Sequence, residues 1–137
     1  MVAYLTVAEV IEIHTQVMDA MGWAVAPLRS EALLESAVMK AQTAAYYGEA
    51  DLALQAALLA VGISQNQPFL DGNKRTAYVS LITFLAINRQ LLDAKNTDIA
   101  VQLIAIAERE GTLEAATDAF AVWLRERLQE SPVPETE

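Results

Sequence analysis

Cysteine is missing altogether and histidine occurs once, at position 14. The first absence excludes a disulfide framework and a thiolate metal site, and the second excludes a histidine-rich one. Glycine and proline are scarce, at five and four of 137 residues, and 54% of the chain is hydrophobic, which excludes the disordered class. Cations are scarce too: nine Lys and Arg stand against eighteen Asp and Glu, a net charge of -9. Spread evenly, that charge repels a nucleic-acid backbone, so no direct nucleic-acid partner is expected. No uncharged stretch approaches the roughly 18 apolar residues of a membrane span. Met1-Val2-Ala3-Tyr4-Leu5-Thr6 lacks the basic patch and apolar run of a secretory signal. A cytoplasmic protein with no membrane partner is the expectation.

What remains is rich in alanine and leucine, and a chain of this length buries a core without staples. A single all-α domain of about six helices over residues 1–130 is expected, with 131–137 as a frayed tail. Thr6-Val7-Ala8-Glu9 has capping-box spacing and opens helix one, which carries Val10, Ile13, Val17 and Met21 at helical intervals up to Gly22. Ser30 caps helix two, striped by Leu33, Leu34, Ala37, Val38 and Ala41 and fading near Ala45. Tyr46-Tyr47-Gly48-Glu49 has no helical period and reads as a turn or short hairpin. Asp51 caps helix three, whose alanines at 53, 56, 57 and 60 allow close packing against neighbours. Helix four runs from Thr76 to Asn88 with little polar face and is expected to be the most buried. Helix five spans Asn96 or Thr97 to Glu110. Thr112 opens helix six, which carries Leu113, Phe120, Trp123, Leu124 and Leu128.

Between helices three and four lies Asn66-Gln67-Pro68-Phe69-Leu70-Asp71-Gly72-Asn73-Lys74-Arg75-Thr76-Ala77. Asp71-Gly72 is a turn signal, but helical period sets in directly after Asn73. That places the N–H groups of Gly72, Asn73 and Lys74 at a helix N-terminus, where the dipole favours an anion. Lys74 and Arg75 in a first turn oppose the usual preference for acidic residues there. Either an anion sits between them or they pair with Asp71 or another surface carboxylate. Rule-breaking of this kind is more frequent at functional sites.

The same stretch resembles the signature of the Fic/Doc family, specifically its death-on-curing (Doc) toxin branch, which reads His-x-Phe-x-Asp-(Gly/Ala)-Asn-Lys-Arg-Thr-Ala. Tyr4-Leu5-Thr6, Ile11-Glu12-Ile13-His14, Leu28-Arg29-Ser30 and Leu33-Leu34-Glu35-Ser36-Ala37 resemble the branch's first two helices, so that roughly residues 4 to 125 are covered. The resemblance implies that Gly72, Asn73, Lys74 and Arg75 hold the phosphates of ATP, that Asp71 binds Mg²⁺ or orients the site, and that Phe69 anchors the loop. His14 is implied in a supporting role, and Arg29 is a further candidate for reaching a phosphate or the target. The partners implied are an antitoxin and a translation-factor substrate, elongation factor Tu, phosphorylated on a hydroxyl. The segment Tyr46-Tyr47-Gly48 falls where the fold carries a flap that aligns the target.

Two residues depart from the pattern. Gln67 stands where the family has the histidine that activates the target hydroxyl; an amide hydrogen-bonds a hydroxyl but takes no proton near neutral pH, a loss worth about 10²–10⁴-fold. The chain as written is therefore expected to be impaired, whether silenced by design or in nature. Members that transfer AMP resemble Gly-Asn-Gly-Arg-x-x-Arg, whereas here Lys74 replaces the second glycine and Tyr78 the second arginine. Phosphate transfer is thus the leading expectation, with AMP transfer, or a non-catalytic module that binds nucleotide or antitoxin, as alternatives.

Overall fold

In the computed structural model, which describes residues 1–132, six helices carry the chain in the order α1 (Val7–Ala20), α2 (Glu31–Gly48), α3 (Leu52–Asn66), α4 (Asn73–Ile87), α5 (Asn96–Ala107) and α6 (Leu113–Arg125). Two three-residue strands, β1 (Gln90–Leu92) after α4 and β2 (Leu128–Glu130) after α6, pair antiparallel with Leu91 opposite Gln129. The all-α expectation holds. The tail expected to be frayed lies, from residue 133 on, outside the described residues. No described helix is long and apolar enough to cross a membrane.

Helix starts follow local chemistry. Thr6 and Glu9 form the reciprocal capping box of α1, Ser30 accepts from Leu33 N–H, and Asp51 and Thr112 cap α3 and α6 in the same way. The centre of the fold is α3, which packs on α2, α4 and α6. Ten of its fifteen residues are buried against six in α4, which corrects the expectation that helix four is the most enclosed. The alanines explain this: Ala53, Ala56, Ala57 and Ala60 let backbones approach on several sides. At Gly62 the approach of α2 is close: a Cβ there would lie 3.0 Å from Cα of Ala37. On α4, by contrast, Ile82 and Ala86 face outward.

Four boundaries differ from the sequence reading, the first being that α4 starts at Asn73, three residues before Thr76. Tyr46, Tyr47 and Gly48 are neither a turn nor a short hairpin but the last residues of α2, which stops at Glu49 in the left-handed region (φ 53°). A non-glycine residue there carries no sequence signal. Helix α5 ends at Ala107, three residues short of Glu110, and Leu128 belongs to β2 rather than to helix six. The strand-like pairing that does occur beside the site is elsewhere: Leu28 bridges Phe69, with Arg29 N–H donating to Pro68 O at 2.6 Å and Leu70 N–H to Pro27 O at 3.1 Å.

Candidate functional site: an open helix start between α3 and α4

The α3–α4 loop is shaped by two left-handed residues. Gln67 ends α3 with φ 50°, and Gly72 precedes α4 with φ 82°, a conformation that suits glycine. Between them Phe69 is buried and anchors the loop, while Leu70 and Asp71 are exposed.

Asn73 braces this turn. Its Oδ1 accepts from Phe69 N–H at 3.0 Å and its Nδ2 donates to Phe69 O at 2.8 Å, so both ends of the amide are committed to the loop backbone. Asn73 therefore leaves its backbone N–H open and not its side chain. The Gly72 N–H is likewise occupied, donating to Asp71 Oδ1 at 2.8 Å. The N–H groups left open are those of Asn73, Lys74 and Arg75: the Gly72 carbonyl accepts only from Thr76, no side chain caps α4, and among the described residues none of the three has an acceptor. The open set is thus displaced one residue from the sequence expectation.

Lys74 and Arg75 are exposed, and neither pairs with a carboxylate among the described residues. Of the two explanations for cations at this helix start, pairing with Asp71 is the one the geometry does not make. They line a cleft of about 440 Å³ together with Tyr78, Asn96, Thr97 and Leu103. Its far wall is the first two turns of α5, through Asn96, Thr97, Ala100 and Leu103. Asn96 and Thr97 were not singled out from the sequence, because only the fold brings residue 97 beside residue 74.

Gln67 is exposed, and its side chain makes no hydrogen bond among the described residues; its carbonyl accepts from Arg29 Nε–H at 2.8 Å. Arg29 also donates from Nη2 to Asn66 O at 2.7 Å. It thus satisfies two carbonyls at the end of α3, and these two fork donors are turned to the loop rather than to a phosphate. His14 is buried beneath the loop, with Nε2 2.8 Å from Asp71 O and the ring stacked on Phe69. It has no route to a target hydroxyl. Asp71 is the sole carboxylate of the loop, and no group of three or more metal-ligating side chains occurs among the described residues. Tyr46 and Tyr47 belong to α2 and neither lines the cleft.

Residues 4–85, more than half of the chain, match the Fic/DOC family. No curated protein matches the chain closely enough to report.

Proposed function

This chain belongs to the Fic/DOC family, and on that premise we propose that it is a phosphotransferase-type toxin fold that binds ATP at the start of α4 and lacks the base needed for transfer. The observation that carries the reading is the uncapped start of α4: among the described residues its first three N–H groups have no acceptor, and Lys74 and Arg75, which line the cleft, have no carboxylate partner, whereas α1, α2, α3 and α6 each begin with a side-chain cap. Phosphoryl transfer is catalysed mainly by such positioning and charge neutralisation. In the proposed reaction the target hydroxyl oxygen bonds to the γ-phosphorus, the bond to the β-phosphate oxygen breaks, ADP leaves, and the hydroxyl proton must go to a base. Gln67 stands where that base belongs and cannot take the proton.

Mg²⁺ fits the residues present. It is usually held by one or two carboxylates together with substrate phosphates rather than by a protein cage, and Asp71 offers an exposed carboxylate with Oδ2 unengaged among the described residues. Bound there, the ion would neutralise phosphate charge. Tyr78 at the cleft, and Lys74 in place of the second glycine of the AMP-transferring pattern, support transfer of phosphate over AMP. The proposed target is a translation factor, elongation factor Tu, and the proposed regulator is an antitoxin of the same module. Apolar surface left exposed at Trp23, Tyr46, Tyr47 and Leu70 supports a protein partner.

One observation favours a second reading. With Gln67 at the base position, the chain as it stands is a binding module that holds nucleotide or antitoxin without turnover. Gln67→His separates the two. Position 67 has φ 50°, a region in which histidine is enriched, so the substitution suits the backbone. Incubated with elongation factor Tu and ATP, the variant is expected to gain at least about 10²-fold in transfer and to add roughly 80 Da to its target. A gain of roughly 329 Da would assign AMP transfer. No mass gain, with nucleotide still bound, would leave the binding module.

A further inference from the structure

Helix α1 reaches the loop through two buried side chains one turn apart. His14 is 1% exposed, and its Nε2 lies 2.8 Å from Asp71 O. Because a carbonyl only accepts, Nε2 carries the proton in this contact, whatever the state of the other ring nitrogen. The ring is face to face with Phe69, centroids 3.7 Å apart and planes within 3°. Met18 completes the bed: a Cβ at Gly72 would lie 2.8 Å from Met18 Sδ and 3.4 Å from the His14 ring.

These contacts converge on one peptide group. The carbonyl of the Asp71–Gly72 peptide accepts from His14, while its N–H donates to Asp71 Oδ1 on the opposite side. A glycine at the second position is what makes such a peptide able to turn over, because Gly72 bears no Cβ to oppose it. Turned over, the carbonyl would face the Asp71 carboxylate, the N–H would face the buried ring, and the turn that delivers the Asn73, Lys74 and Arg75 N–H groups outward would be lost.

We infer that His14 is a positioning residue of the anion site, holding the Asp71–Gly72 peptide in the one orientation that presents the α4 N-terminus to a phosphate. The inference rests on the reading of that terminus as a phosphate site. His14 touches neither substrate nor target and acts through the loop. Stacking on Phe69 keeps the ring plane, and the Nε2–H sets the peptide.

Two substitutions divide these parts. His14→Phe keeps an aromatic face against Phe69 and removes the donor; His14→Gln removes the ring and returns an N–H at about the distance of Nε2. Each is first shown to be folded by circular dichroism and melting. Two readouts follow: the exchange rate of the Gly72 amide in the free protein, and affinity for inorganic pyrophosphate by calorimetry. His14→Phe is expected to speed Gly72 exchange and weaken pyrophosphate binding by roughly 2- to 10-fold, the worth of one hydrogen bond, with His14→Gln recovering most of both. Wild-type exchange at Gly72 in His14→Phe, or equal losses in the two variants, overturns the inference. If the native chain binds no pyrophosphate, the proposed phosphate site falls, while Gly72 exchange still decides whether His14 sets the peptide.

Discussion

Helices α3 and α4 lie side by side and begin in opposite ways. At the start of α3, Asp51 Oδ1 accepts from Leu54 N–H at 3.0 Å, and Arg125 grips both carboxylate oxygens at 2.6 and 2.9 Å. A carboxylate at an N-terminus meets both the orphan N–H groups and the dipole, and α6 is stapled to α3 by the same contact. At the start of α4 every one of these provisions is missing: Gly72 has no side chain to cap with, and Lys74 and Arg75 add positive charge to a positive end. The difference teaches what each terminus is for. A helix start capped and ion-paired within the chain serves the fold, whereas one left uncapped and loaded with cations, in the same chain and one helix away, is what the proposed anion site requires.

The sharpest way to break this comparison is to remove the cations. Lys74→Ala with Arg75→Ala is expected to weaken pyrophosphate or ATP binding by at least about tenfold, the low end for hydrogen bonds to charged groups. Stability should move the other way, rising by about 0.3–1 kcal/mol per cation taken from the dipole's positive end. Calorimetric titration and a urea melt read the two effects on one sample. A variant that binds as before, or one that melts earlier, would show that the pair serves the fold and that α4 is no different from α3.

Asp51→Ala tests the other side. Loss of the cap costs about 1–2 kcal/mol of unfolding free energy, and the half-exposed ion pair adds little. Polyphosphate affinity should be unchanged. A shift in affinity comparable to that of the double alanine variant would mean that the two helix starts are one device.

Much of this contrast was legible beforehand because it is local. Thr6, Ser30, Asp51 and Thr112 announce helix starts within four residues, and Gly72-Asn73-Lys74-Arg75 announces an unusual one. What was not legible depends on partners distant in the chain or on conformations without a residue preference. Asn73 reads as a phosphate ligand until Phe69, four residues back, takes both ends of its amide. Arg29 reads as a free cation until the fold lays the 27–30 segment along the loop and gives it the carbonyls of Asn66 and Gln67, 37 and 38 residues away. Tyr46-Tyr47-Gly48 reads as a turn or short hairpin because aromatic residues and a glycine interrupt the helical period, while the actual stop is Glu49 in a left-handed conformation that glutamate seldom adopts. Strand β2 was hidden because Leu128 continues the helical spacing of α6, and only pairing with Gln90–Leu92 makes it a strand.

The smallest expected effect isolates charge at the closed terminus. Asparagine caps a helix about as well as aspartate, so Asp51→Asn keeps the Leu54 contact and removes only the negative charge facing Arg125. The Arg125 guanidinium holds the Asp51 carboxyl below its ordinary value of 3.8, with the Leu54 N–H helping and partial burial opposing. A carboxyl lowered in the folded state contributes stability that is fully present above its unfolded value and is lost as pH falls through the folded one. The native chain should therefore exceed Asp51→Asn by a small, flat margin from neutral pH down to about pH 5, and the margin should close below pH 3.8. Both side chains are about half exposed, at 46% for Arg125 and 51% for Asp51, which limits the margin to about 0.2–1 kcal/mol and makes it shrink with salt. Urea melts of the two proteins between pH 7 and pH 3 measure it. A margin that widens on acidification would reverse the sign and remove the ion pair from the account of how α3 begins.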